Sequence, residues 1–118
     1  MNKVNKDIEP PPFDEQLAAS YIGKYILIGL TYLDHKGNKL RRQQLHGIIK
    51  SATLKGIQIE LKGVYEGQKW NMPPDLRGIH PAKPGKYTLH MTKEVIENPD
   101  LLSTWTITEP EPKKENEP

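Results

Sequence analysis

The sequence predicts an all-β fold, a small SH3-like barrel of five to six antiparallel strands preceded by one short helix. Short apolar runs are separated by turn residues about every 8–12 positions, the spacing of small barrels and sandwiches. From Ile57 to Tyr65 the chain alternates cleanly, with Ile57, Ile59 and Leu61 on one side and Gln58, Glu60 and Lys62 on the other. Helical spacing is confined to one short stretch near residues 14–20.

That stretch has Asp14 as a candidate N-cap, with Leu17, Ala18 and Tyr21 falling on one side. A helix so short needs a sheet to lean on. Lys24 to Leu33 then reads as a central strand, apolar on both faces. Asp34 to Asn38 is a hairpin loop in which Gly37 and Asn38 both tolerate positive φ. Leu40 to Ser51 returns as the second strand, and Gly47 within it marks a bend or bulge.

Glu66-Gly67 folds the alternating strand back onto Gln68–Met72, anchored by Trp70. Pro73-Pro74-Asp75-Leu76 ends that strand in a single 3₁₀ turn. His80 to Gly85 reads as a Pro-rich loop and Lys86 to Met91 as a fifth strand, with Tyr87, Leu89 and Met91 on one face. After a turn at Asn98-Pro99-Asp100, Leu102 to Thr108 is the last strand, placing Trp105 and Ile107 together. The expected core is Ile26, Ile28, Leu30, Leu45, Ile49, Ile57, Ile59, Leu61, Trp70, Leu89, Trp105 and Ile107.

The ends differ from this body. Residues 1–13, with Pro10, Pro11 and Pro12 in a row, read as a disordered tail, and residues 109–118 as a disordered acidic tail. The domain between them spans residues 14–108. Residues 21–108 hold 13 of the 17 Lys and Arg and only 7 of the 15 Asp and Glu, so a basic body carries acidic ends.

Zero cysteines exclude disulfides, thiolate metal sites and a thiol nucleophile. There is no apolar run of ~20 residues to span a membrane and no secretory signal pattern, so the expected location is cytoplasmic.

Several classes of chemistry find no support. His35, His46, His80 and His90 show no tight ligand spacing, so no metal is expected. Ser20, Ser51 and Ser103 lack a nucleophile-elbow context, and no pair among Glu60, Glu66, Asp75, Glu94, Glu97 and Asp100 stands out for acid–base work. No phosphate-binding glycine motif is present. The chain is therefore expected not to be an enzyme and to need no cofactor.

Binding remains. Small barrels present loops and shallow aromatic grooves to extended peptides. Tyr32, His46, Tyr65, Pro74 and Arg77 form the candidate surface for an unidentified protein or peptide partner. The alternative is weak single-stranded nucleic-acid binding through a basic face, with Tyr32, Tyr65 and Trp70 as stacking platforms. Arg41 and Arg42 are adjacent, so strand alternation sends them to opposite faces instead of forming one clamp.

Two resemblances bear on these expectations. Leu76-Arg77-Gly78, with the order helix then five bent strands, resembles the Sm-like RNA-binding barrels. Their base-holding carboxylate and asparagine have no counterpart, because that region reads Gly47-Ile48-Ile49-Lys50-Ser51. The second is carried by Gly23-Lys24-Tyr25, Gly29-Leu30-Thr31-Tyr32-Leu33-Asp34, His46-Gly47, Pro73-Pro74-Asp75-Leu76, Asn98-Pro99-Asp100-Leu101-Leu102 and Thr104-Trp105. These motifs, from Ile22 to Pro110, resemble an uncharacterised family of small bacterial β-barrel proteins, which implies an independent bacterial domain and no particular activity.

Overall fold

A computed structural model describes residues 12–111; the tail residues 1–11 and 112–118 lie outside the described residues. The first element among the described residues is helix α1 (Glu15–Tyr21), where the Asp14 carboxylate accepts the Leu17 amide at 3.0 Å as the N-cap. Ala18 is its buried contact, and Tyr21 packs on the core.

Eight strands follow: β1 (Tyr25–Leu33), β2 (Lys39–Thr53), β3 (Gly56–Leu61), β4 (Lys69–Met72), β5 (Ile79–Pro81), β6 (Lys86–Thr88), β7 (Val95–Glu97) and β8 (Leu101–Thr108). Six of them form one sheet in the order β4-β3-β2-β1-β8-β5, while β6 and β7 form a separate two-stranded flap.

The β1–β2 hairpin turns where expected. The Asp34 carboxylate accepts the amides of Lys36 at 2.9 Å and Asn38 at 2.8 Å, and Gly37 supplies the positive φ of 91°. Asn38 does not share that conformation. Gly47 sits opposite both Ile26 and Leu61, where the long β2 crosses from one partner strand to the other. A Cβ at Gly47 would run into the Glu60 backbone carbonyl and stand 2.9 Å from the Leu61 Cα, so the crossing needs glycine. The register shifts once more between Ile49 and Ser51.

Alternation gives the sheet two faces. The inner face carries Ile26, Ile28 and Leu30 of β1, Leu45 and Ile49 of β2, Ile57, Ile59 and Leu61 of β3, and Met72 of β4, all buried. Trp70, Trp105 and Ile107 pack against this core while only partly buried. Leu89 belongs to a second cluster on the outer face, where it and Ile96 of the flap cover Leu27, beside Tyr25, Tyr87 and Leu102.

Three expectations are corrected. The sheet does not close into a barrel: β4 and β5 are its two free edges. Both are short, and Pro81 in β5 lacks the amide a closing ladder would need. The sheet is also mixed, because β8 runs parallel to β1, with Ile26 opposite Leu101 and Thr31 opposite Thr106.

Finally, the expected fifth strand Lys86–Met91 ends at Thr88. The chain folds back through Lys93, at positive φ, and returns as β7 with Tyr87 opposite Ile96. This leaves Met91 exposed, while His80 and Pro81, expected as the start of a loop, join Ile79 in pairing with β8.

Candidate functional site

The five residues singled out in the sequence are placed at three separate locations. Tyr32 and Tyr65 come together on the inner face through Gln43: the Tyr32 hydroxyl donates to the Gln43 carbonyl oxygen at 3.1 Å, and the Gln43 amide donates to the Tyr65 hydroxyl at 3.2 Å. The Arg41 guanidinium covers the Tyr32 ring at 4.0 Å and pairs with Glu109 at 3.0 Å. One face of Tyr32 is thus occupied by the chain itself.

Pro74 and Arg77 lie elsewhere, beside α1 and the β2–β3 turn. Together with Phe13, Leu17, Leu54 and Leu76 they line a groove of about 570 Å³. Leu17 and Leu54 keep 40% and 67% of their surface exposed, although nothing polar requires them there. The one basic group in the groove is engaged. Arg77 donates from Nε and a terminal nitrogen to both oxygens of Asp75, at 2.9 and 2.8 Å. The Arg77 side chain and amide hold the Asp75 carboxyl down to about 2.

Pro74 of the groove follows the edge strand β4 by two residues. Leu61 bonds Gln68 through its amide, so the regular ladder makes Ile59–Trp70 the next bonded pair. The backbone groups of Lys69 and Asn71 therefore point outward to the edge.

His46 is on the outer face and only 4% exposed, under the flap. Its Nδ1 is 2.7 Å from the Tyr25 hydroxyl. Burial, then the Glu94 and Glu66 carboxylates, raise the Tyr25 phenol above its ordinary range. The phenol therefore keeps its proton and shares one hydrogen bond with Nδ1, in which either group can be the donor.

Nε2 lies 3.2 Å from Glu94 Oε1, an ion-pair distance. Glu94 also accepts the Thr92 hydroxyl at 2.8 Å and the Val64 amide at 3.2 Å. Burial raises the Glu94 carboxyl, but Thr92, His46 and Val64 outweigh it and the net position is lowered. A Cβ at Gly63, whose φ is +70°, would meet the Glu94 carboxylate and the His46 ring, so glycine there lets both side chains close over the turn.

Tyr25, His46 and Glu94 thus form a clasp joining β1, β2, the Gly63–Tyr65 turn and the flap. A protonated phenol and an ionised carboxylate around a covered imidazole can hold the flap.

Sequence reasoning named His46 but missed its partners. The hairpin register, with Leu27 opposite His46 and Tyr25 opposite Ile48, makes Tyr25 a diagonal neighbour that counting from the turn would find. Glu94 carried no such signal, because it arrives on a flap whose fold-back was not foreseen.

Among the described residues no group of three or more His, Asp or Glu could hold a metal ion, and no helix is long and apolar enough to cross a membrane. Comparison with protein-family models, with curated proteins and with solved structures gives no match.

Proposed function

We propose that this chain is a non-catalytic binding module whose apolar groove takes an extended protein or peptide segment. The observation that carries this reading is the groove itself. Phe13, Leu17, Leu54, Pro74 and Leu76 present apolar surface around an arginine already neutralised by Asp75. Such a surface suits a segment anchored by apolar side chains. The free backbone groups of Lys69 and Asn71 at the neighbouring edge would let the segment pair as an added strand.

Single-stranded nucleic acid is the weaker alternative. Of its three expected stacking platforms, Tyr32 and Tyr65 are tied to Gln43 and Trp70 packs against the core, and Arg41 beside Tyr32 is paired with Glu109.

The test is a peptide selection against the immobilised full chain, followed by titration of the enriched peptides. Leu54→Glu changes an exposed side chain and should leave the fold intact. Enriched peptides should carry spaced apolar residues and bind this variant about tenfold more weakly or worse. Failure to enrich any sequence, or equal binding to the variant, would overturn the reading.

A further inference from the structure

The outer face of the central strands carries a second cavity, on the side away from the inner core. Its floor follows directly from register. Arg42, Thr31 and Thr106 stand in one row across β2, β1 and β8, and Gln44, Gly29 and Thr104 stand in the next. The third row is His46, Leu27 and Leu102. The flap covers this third row with Leu89 and Ile96 but leaves the first two open.

Gly29, at the middle of the second row, removes one side chain and dents the floor between Gln44 and Thr104. Met91 and His90 form the wall. Gln44 holds this wall in place by accepting the amides of His90 at 2.9 Å and Met91 at 3.4 Å. The resulting trough has a volume of about 590 Å³.

Its chemistry is one-sided. No carboxylate lines it. Among the described residues Arg42 makes no ion pair, whereas Arg41, its neighbour on the other face, is paired with Glu109. Thr31, Thr106 and Gln44 line the trough with groups that can donate, while Thr104 turns its methyl toward the dent, 3.6 Å from where a Cβ on Gly29 would stand. An arginine fork with hydroxyl-bearing neighbours in the same row suits a tetrahedral oxyanion, which offers acceptors in several directions. The trough is far larger than an inorganic ion and fits the common range for small-molecule pockets.

We propose that this trough binds a small molecule through its phosphate group, with Arg42 as the charge partner and its row neighbours Thr31 and Thr106 as hydroxyl donors. The peptide groove lies apart from it, so either site can fail without the other.

The test uses the full chain labelled with nitrogen-15 and titrated with inorganic phosphate, ionic strength being matched with chloride. The amides of Gly29, Thr31 and Thr104 should shift along one saturable curve. Arg42→Gln, a change at an exposed side chain, should weaken that curve about tenfold or more, with the remaining spectrum unchanged. Arg41→Gln, on the opposite face, should leave it as it was.

No saturable shift, the same shift with chloride, or a curve indifferent to Arg42→Gln would overturn the proposal. A parallel titration with a single-stranded oligonucleotide separates the sources of phosphate. Shifts at these amides with the oligonucleotide but not with phosphate would replace the small-molecule pocket by a strand-binding face.

Discussion

Replacing Glu94 with alanine isolates what the clasp contributes. In the folded chain this carboxylate accepts Thr92 and Val64 and sits beside His46 Nε2, on a side chain only 21% exposed. Hydrogen bonds to charged groups are worth ~1.5–3 kcal/mol each but do not add, and partial exposure lowers them, so a loss of about 2 kcal/mol is expected. The loss should be local. Native-state hydrogen exchange should show the Leu89 and Lys93 amides, both bonded within the flap fold-back, losing about thirtyfold in protection. The Ile49 amide, bonded to Lys24 in the main sheet, should lose less.

The pH dependence has a defined sign. The Glu94 carboxyl is lowered in the folded state, so its stabilisation is full above the unfolded carboxyl value and is lost as pH falls through the folded one. Acid should therefore loosen the flap below about pH 4.3 in the native sequence, and Glu94→Ala should flatten that step. Unchanged flap protection in Glu94→Ala, or a loss spread evenly over both sheets, would refute the clasp.

Two further substitutions test the frame that carries both cavities. Gly47→Ala drives a methyl into the Glu60 carbonyl at the strand crossing and should cost about 1–3 kcal/mol or more in urea unfolding; a neutral result would mean the crossing is not tight. Ile59→Ala empties a fully buried position in the middle of the inner face and should cost about 2–5 kcal/mol in the same assay; a loss near that of an exposed residue would place Ile59 outside the core.

How far the sequence could be read depends on the range of the interaction involved. Features set by neighbouring residues were legible. Asp14 caps its helix, Asp34 and Gly37 make the first turn, and Gly47 marks the crossing. The ribbon from Ile57 to Met72 forms with Ile57, Ile59 and Leu61 buried, although a 3₁₀ turn at Gly63–Tyr65 precedes the reversal at Glu66-Gly67.

Features set by distant partners were not legible. Leu102–Thr108 reads the same whether its neighbour runs parallel or antiparallel, because side-chain alternation carries no direction. The flap strands are three residues each, too short for a periodic signal, so Leu89 was assigned to the main sheet instead of the outer cluster. Of the candidate surface, Pro74 and Arg77 do meet in one groove, and Tyr32 and Tyr65 meet in another place. Arg77 is neutralised by Asp75 only two residues away, a pairing within reach of local reading, whereas nothing local could show that His46 would be covered.

The parallel β8 is also what makes the outer trough. Thr104 and Thr106 enter the rows of Gly29 and Thr31 only because β8 lies beside β1 in this register. A slip of one residue would turn both hydroxyls inward and send Trp105 out. The inner face opposes that slip, because Leu101, Ser103 and Trp105 stand opposite Ile26, Ile28 and Leu30, and the buried Ser103 hydroxyl donates to the Gly78 carbonyl at 2.6 Å. Core packing on one side of the sheet thus sets donor placement on the other. A core substitution that shifts β8 should consequently disturb phosphate binding at the trough while leaving Arg42 itself untouched.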